Sequence, residues 1–195
     1  MCGDGLTSTG HCQSATIAIG FIRIGLAKAF KAIRDEFADA ELWYSGHYSE
    51  DIKQKILHEL NGSAQLERRV KFLGLGGLQD LQKLYRSASV TVLPSVWEAF
   101  GLVLVESLAA GTPVVGSDHA GIVDIIDSDF IGRCFSAGDF DQASENWEGL
   151  AVELSKLLRS PTNEEQRQLC LEHAKKFSWQ TLGPVYESWY EKLAS

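Results

Sequence analysis

From Ala15 onward, short β-branched apolar runs alternate about five times with longer stretches of helical periodicity, and this alternation constrains the chain more than any other feature. It predicts strands at Thr16–Gly20, Glu41–Ser45, Val70–Leu73, Ser89–Leu93 and Val114–Ser117, with a further one near Gly132–Phe135. Between the first two, Leu26, Phe30, Ile33 and Phe37 recur at three- and four-residue steps, which predicts a helix over Leu26–Ala38. Ser49 ahead of Glu50 and Asp51 suits a helix start, with Ile52, Ile56 and Leu60 facing inward. Leu78–Ala88 carries Leu81, Leu84 and Tyr85 toward a sheet, and Gly101–Ala110 is apolar almost all round, the mark of a buried helix. A short helix is expected at Ile122–Ile126. Continuously apolar strands require cover on both faces, so the expected fold is α/β, a doubly wound parallel sheet of about six strands. Extra helices follow near Trp147–Leu158, Glu164–Lys176 and Trp179–Leu193 without intervening strands. The last carries Leu182, Tyr186, Trp189, Tyr190 and Leu193, too much large apolar surface for a solvated tail, so it is expected to pack on something.

With 195 residues, 45% hydrophobic, 23% charged and only 4 Pro, the chain fits one folded domain over 14–195 rather than a disordered or fibrous protein. Residues 1–13 have turn composition and read as a loose leader. An excess of 26 acidic over 18 basic residues gives no general attraction to phosphate backbones, so nucleic acid is not an expected partner. Cys2, Cys12, Cys134 and Cys170 are scattered with no C-x-x-C pair, which indicates neither a metal site nor a disulfide framework. Reduced thiols, no apolar run of transmembrane length and no signal-peptide pattern lead to the expectation of a soluble, cytoplasmic protein.

In a doubly wound sheet, ligands bind beyond the carboxyl ends of strands, where helix N-termini present unpaired N–H groups. The fourth crossover reads Pro94-Ser-Val-Trp-Glu98-Ala-Phe-Gly-Leu-Val-Leu-Val-Glu106. Gly101 allows close backbone approach, and the amides of Gly101, Leu102 and Val103 are donors of a first helical turn, suited to a pyrophosphate. Glu106, the only charge in this helix, sits roughly 7.5 Å along its axis, where a carboxylate can hold two ribose hydroxyls. Glu98 on the loop can reach a sugar beyond the phosphates. The alternative is that Glu106 marks an exposed helix edge and Glu98 is an ordinary loop acid.

From Val70 to Ile126 the chain closely resembles the donor-binding C-terminal domain of retaining GT-B glycosyltransferases, in particular glycosyltransferase family four. Glu98 and Glu106 match that family's E-x7-E motif, with Phe100-Gly101-Leu102 inside it and the Pro113-Val-Val strand after it; Phe177-Ser-Trp179 and Tyr190 resemble its last helices. The resemblance implies a Rossmann-like domain, one half of a GT-B fold, that binds a nucleotide-diphosphate sugar for hexosyl transfer with retained configuration and no metal or other cofactor. It also implies roles: Glu98 touches the donor sugar as the catalytic residue, Glu106 holds the ribose, and Phe100, Gly101, Leu102 and Val103 form the diphosphate loop. Gly76, after the third strand, is placed near the base. The partners implied are the donor and an acceptor-binding N-terminal domain or separate subunit, without which the isolated chain is expected to be inactive. Peripheral membrane contact remains open.

The sequence departs from that family in two respects, the larger being that only the second of the two Rossmann-like GT-B domains is read in it. The usual Gly-Arg and Lys-Gly cations at the leaving phosphates are missing, since Phe21 follows Gly20; Arg23 and Lys28 are the nearest substitutes. Their loss would slow chemistry by orders of magnitude. A non-catalytic nucleotide-binding module or split remnant is therefore the alternative function, followed by half of a nucleotide-sugar epimerase. Gly74-Leu-Gly-Gly77 lacks the spacing of a dinucleotide loop and reads as a turn. Asp118-His119 lines a cleft or lies on the surface, and Trp97 stacks on a ligand or shields its loop.

Overall fold

A computed structural model of the chain describes residues 15–19, 24–60, 64–95, 98–138 and 146–194. The expected leader 1–13, together with Gly20, Phe21, Arg23 and Trp97, lies outside them. In chain order the elements are β1 Ala15–Ile19, α1 Ile24–Ile33, β2 Glu41–Ser45, α2 Glu50–Glu59, α3 Ala64–Glu67, β3 Val70–Gly74, α4 Leu78–Ser87 and β4 Val90–Leu93. Then follow α5 Leu102–Ala109, β5 Val114–Ser117, α6 Gly121–Ile125, β6 Gly132–Phe135, α7 Trp147–Leu158, α8 Glu164–Lys175 and α9 Trp179–Ala194.

All strand pairs are parallel and the sheet runs β3-β2-β1-β4-β5-β6. This is the doubly wound order, with its switch point between β1 and β4. Strand periodicity divides the interior in two. Val90 and Val92 of β4 and Val115 of β5 join the core that holds Leu26, Phe30, Leu42, Tyr44 and Leu154, where α1 packs on α2 and α7. Leu93 and Val114 point the other way, into a core with Leu104, Leu108, Ile122 and Cys170, where α5 packs on α4, α6 and α8. Burial pushes the Cys170 thiol up to about 11. Helices α7 and α8 are thus not appendages: α7 lies on one sheet face, and α8 packs against α5 on the other side.

Local chemistry sets several boundaries. Ser49 caps α2 by accepting from the Ile52 amide, as its sequence predicts, and Ile56 and Leu60 are buried while Ile52 is half-buried. The first helix is shorter than its periodicity suggests. It stops at Ile33, whose carbonyl accepts from the amides of both Glu36 and Phe37, and the Arg69 guanidinium donates to the carbonyls of Phe37 and Ala40. Phe37 still packs on the core, from a turn rather than a helix. The one-turn α3 has too few residues to show a period.

Two expectations are corrected. Helix α5 is not buried all round: Leu104, Ser107 and Leu108 are inside, whereas Leu102 and Glu106 are exposed. Helix α9 buries none of its side chains within this chain, although its composition led us to expect packing. Its Tyr186 ring instead tilts against Trp179 and meets Trp189 edge to face, and Tyr190 and Leu193 are exposed. Among the described residues, no helix is long and apolar enough to cross a membrane.

Candidate functional site

The candidate site lies beyond the carboxyl end of β4, where the chain runs through Pro94 and Ser95 to Glu98 and enters α5. Gly101 is the residue before the helix, buried and left-handed at φ 96°. A side chain there would be strained, and its Cβ would lie 3.4 Å from Leu93 and Ile125 and 3.7 Å from Cγ of Glu98. Glycine therefore lets the loop turn tightly between the sheet and α6, and it brings the stem of Glu98 against the helix mouth. The first α5 bond runs from the Leu104 amide to the Gly101 carbonyl at 2.8 Å. The amides of Leu102 and Val103 donate to no group among the described residues, as expected of a first helical turn. Exposed Leu102 leaves that mouth open to solvent.

The loop is braced from two sides. A Cβ on Gly121 would fall 2.5 Å from Cα of Phe100 and 2.6 Å from the Ala99 carbonyl oxygen, so α6 approaches the loop backbone as closely as glycine permits. The Phe100 ring meets Phe177 edge to face with centroids 5.6 Å apart. Phe100 is thus a buttress of the loop rather than part of its open surface.

Glu106 lies on the outer side of the second turn of α5, facing α4. Its Oε2 accepts from the Tyr85 hydroxyl at 2.9 Å. A groove of about 210 Å³ runs here, lined by Leu78, Leu81, Gln82, Tyr85, Glu106, Ala109 and Ala110. Tyr85 itself is buried, and burial, reinforced by the Glu106 charge and the hydrogen bond, raises its phenol well above the ordinary tyrosine range. The sequence reading assigned Tyr85 to the core and missed this contact. The available signal was a tyrosine, with a polar tip to satisfy, on a face otherwise built of leucine.

The structure therefore brings together Glu98, Phe100, Gly101, Leu102 and Val103 at the start of α5, with Glu106 one turn further along it. Gly76 lies in the exposed connection from β3 to α4, next to Gly77, which precedes Leu78 at the head of the Glu106 groove. Lys28 goes elsewhere. It lines a groove with Lys31, Arg34 and Trp147, in the layer of α1 and α7, across the sheet from α5. Asp118 and His119 tie down the loop after β6: Asp118 Oδ1 accepts from the Ala137 amide, and His119 Nε2 lies 2.7 Å from the Gly138 carbonyl oxygen. Among the described residues, no three His, Cys, Asp or Glu side chains converge as a metal-ligand set.

Comparison with known proteins adds to this geometry. The chain is 47% identical over 70 residues to an uncharacterized glycosyltransferase of Methanocaldococcus jannaschii, which covers 36% of the chain and 18% of that relative. It is 33% identical over 136 residues to the D-inositol 3-phosphate glycosyltransferase of Mycobacterium tuberculosis, covering 70% of the chain and 27% of the relative. The pneumococcal O-GlcNAc transferase GtfA, solved in complex with UDP and GlcNAc, superposes with a TM-score of 0.75 at 19% identity over 96% of this chain and 37% of its own. The matched region is thus well under half of each of these proteins. The family model of glycosyl transferases group 1 matches residues 24–177, and with its Rossmann-like half of a GT-B fold the chain belongs to that family.

Proposed function

We propose that this chain binds the nucleotide-diphosphate sugar donor of a glycosyl transfer that retains anomeric configuration and uses no metal ion. The observation that carries the reading is the pair Glu98 and Glu106, which bracket the Leu102 and Val103 amides at the mouth of α5, unpaired among the described residues. Those amides and the positive end of the helix dipole supply a fixed field for the two phosphates, and it strengthens as the leaving diphosphate gains charge. In this reading Glu106 holds the ribose hydroxyls, Glu98 contacts the transferred hexose as the catalytic residue, and the Gly76 turn lies beside the base. The UDP complex of the pneumococcal relative supports a nucleoside diphosphate as ligand. The unpartnered aromatic face of α9 supports a second, acceptor-binding domain or subunit as partner. The chemistry belongs in the cytoplasm, where nucleotide sugars are made.

Calorimetric titration with UDP, GDP and ADP sugars tests this directly. One of them binds, and Glu106→Ala weakens it roughly ten- to a hundredfold, the usual loss for hydrogen bonds to a charged group. No binding at millimolar donor refutes the reading.

The position of Lys28, across the sheet from α5, favours a second reading as a non-catalytic nucleotide-binding module. The two separate on activity. Sugar transfer that appears when an acceptor-binding domain is supplied supports the enzyme, and donor binding that never leads to transfer supports the module.

A further inference from the structure

We infer that Tyr85 is a positioning residue for Glu106, presetting the carboxylate that grips the ribose. This rests on the ribose role proposed above for Glu106. A glutamate on an exposed helix face samples many rotamers, and holding two neighbouring hydroxyls requires both carboxylate oxygens in one fixed plane. The Tyr85 hydroxyl occupies one lone pair of Oε2 at 2.9 Å. That leaves Oε1 and the remaining lone pair of Oε2 for a ligand entering the groove.

The tyrosine can impose this geometry because it is itself immobilised. Its side chain is only 2% exposed. Its carbonyl accepts from Thr112 Oγ1 at 2.7 Å, and the Thr112 amide donates to the Ser107 carbonyl. Ser107 Oγ reaches Thr91 Oγ1 at 2.7 Å, and Ser107, Thr91 and Thr112 are all fully buried. A chain of satisfied hydroxyls therefore fixes the end of α4 to α5 and to β4, and with it the height of the Tyr85 ring against Glu106. Burial and the neighbouring carboxylate keep the phenol protonated, so it remains a donor. Apart from Gln82, the other groove walls, Leu78, Leu81, Ala109 and Ala110, are apolar side chains that offer Glu106 no hydrogen bond.

The test is a double-mutant cycle on the full chain. UDP, GDP and ADP, and their 2′,3′-dideoxy counterparts, are titrated into wild type, Tyr85→Phe, Glu106→Gln and the double variant. Tyr85→Phe is expected to weaken the ribonucleotide about three- to tenfold, the worth of one hydrogen bond, to leave the dideoxy form unchanged, and to add no loss to Glu106→Gln. Thr112→Val, which loosens the Tyr85 carbonyl, shows the same ribose selectivity to a smaller degree and serves if Tyr85→Phe does not fold. Equal loss for ribo and dideoxy forms, no loss at all, or a full additional loss in the double variant overturns the inference and leaves the ribose role of Glu106 standing. A wild type that binds none of the nucleotides, or an unchanged affinity in Glu106→Gln, removes that role and this inference together.

Discussion

The ring of Phe177, just past the end of α8, packs edge-on against Phe100 in the loop that leads into α5, with centroids 5.6 Å apart. On its other side the His173 ring tilts against Phe177, and His173 Nε2 lies 2.7 Å from the carbonyl oxygen of Ile125. The start of the candidate site is therefore braced by residues more than seventy positions later in the chain. This sets its rigidity, and with it the strength of any ligand contact made through backbone amides.

Removing that brace gives the first prediction. Phe177→Ala should cost about 2 kcal/mol, below the range for a fully buried phenylalanine because Phe177 is only partly buried. Amide exchange at Phe100–Val103 should accelerate more than exchange in β2. Urea denaturation and hydrogen-exchange mass spectrometry check both, and uniform acceleration across the chain would contradict a local brace.

Two glycines should respond very differently to the same substitution. Gly121→Ala puts a Cβ 2.5 Å from Cα of Phe100, a backbone contact that no rotamer relieves, so a loss of about 1–3 kcal/mol and weaker nucleotide binding are expected. Gly183→Ala, inside α9 with nothing within 4 Å beyond its chain neighbours, should be close to neutral, because the helix propensity gained is opposed by the new Cβ meeting the Pro184 ring. Thermal melts of the two variants side by side decide the matter.

The raised phenol of Tyr85 makes a prediction for alkaline pH. Its folded value lies above the unfolded value near 10.0, so the unfolded state releases this proton first. The stabilisation is complete below about pH 10 and declines as pH rises above it. Wild type should lose stability more steeply than Tyr85→Phe between about pH 9.5 and 11 in urea titrations. Parallel curves would show that Tyr85 does not contribute to the alkaline limb.

Helix α9 should be dispensable for the fold. Because it buries no side chain, a chain ending at Ser178 should keep a urea midpoint close to that of the full chain. It should also self-associate less in sedimentation at high concentration, since Trp189, Tyr190 and Leu193 are exposed. A truncated chain that fails to fold would mean that α9 packs on the domain in solution.

Much of the architecture was legible because the signals are local. β5, β6 and α7 begin and end at the residues their patterns predict, and the cap at Ser49 needs only its own side chain and the next turn. Glu98, Gly101 and Glu106 were legible for a similar reason: a strand, a loop, a glycine and a helix start are read from adjacent residues. What escaped depends on distant partners. The turn after α1 is held by Arg69, whose guanidinium donates to the Phe37 carbonyl thirty-two residues earlier, and the contact of Tyr85 with Glu106 spans two helices.

The sequence by itself determined the order of strands and helices, the parallel sheet they form, and the presence of two carboxylates around a helix mouth. Periodicity and spacing are enough for this, because backbone geometry converts them into faces and distances along one element. Only the tertiary structure decided that Lys28 lies across the sheet from α5, that Phe100 is a buttress, that α9 remains uncovered within this chain, and that one oxygen of Glu106 is already engaged by Tyr85. These depend on how separate elements dock. Docking is set by side-chain packing and buried hydrogen bonds between residues far apart in the chain, which no local window contains.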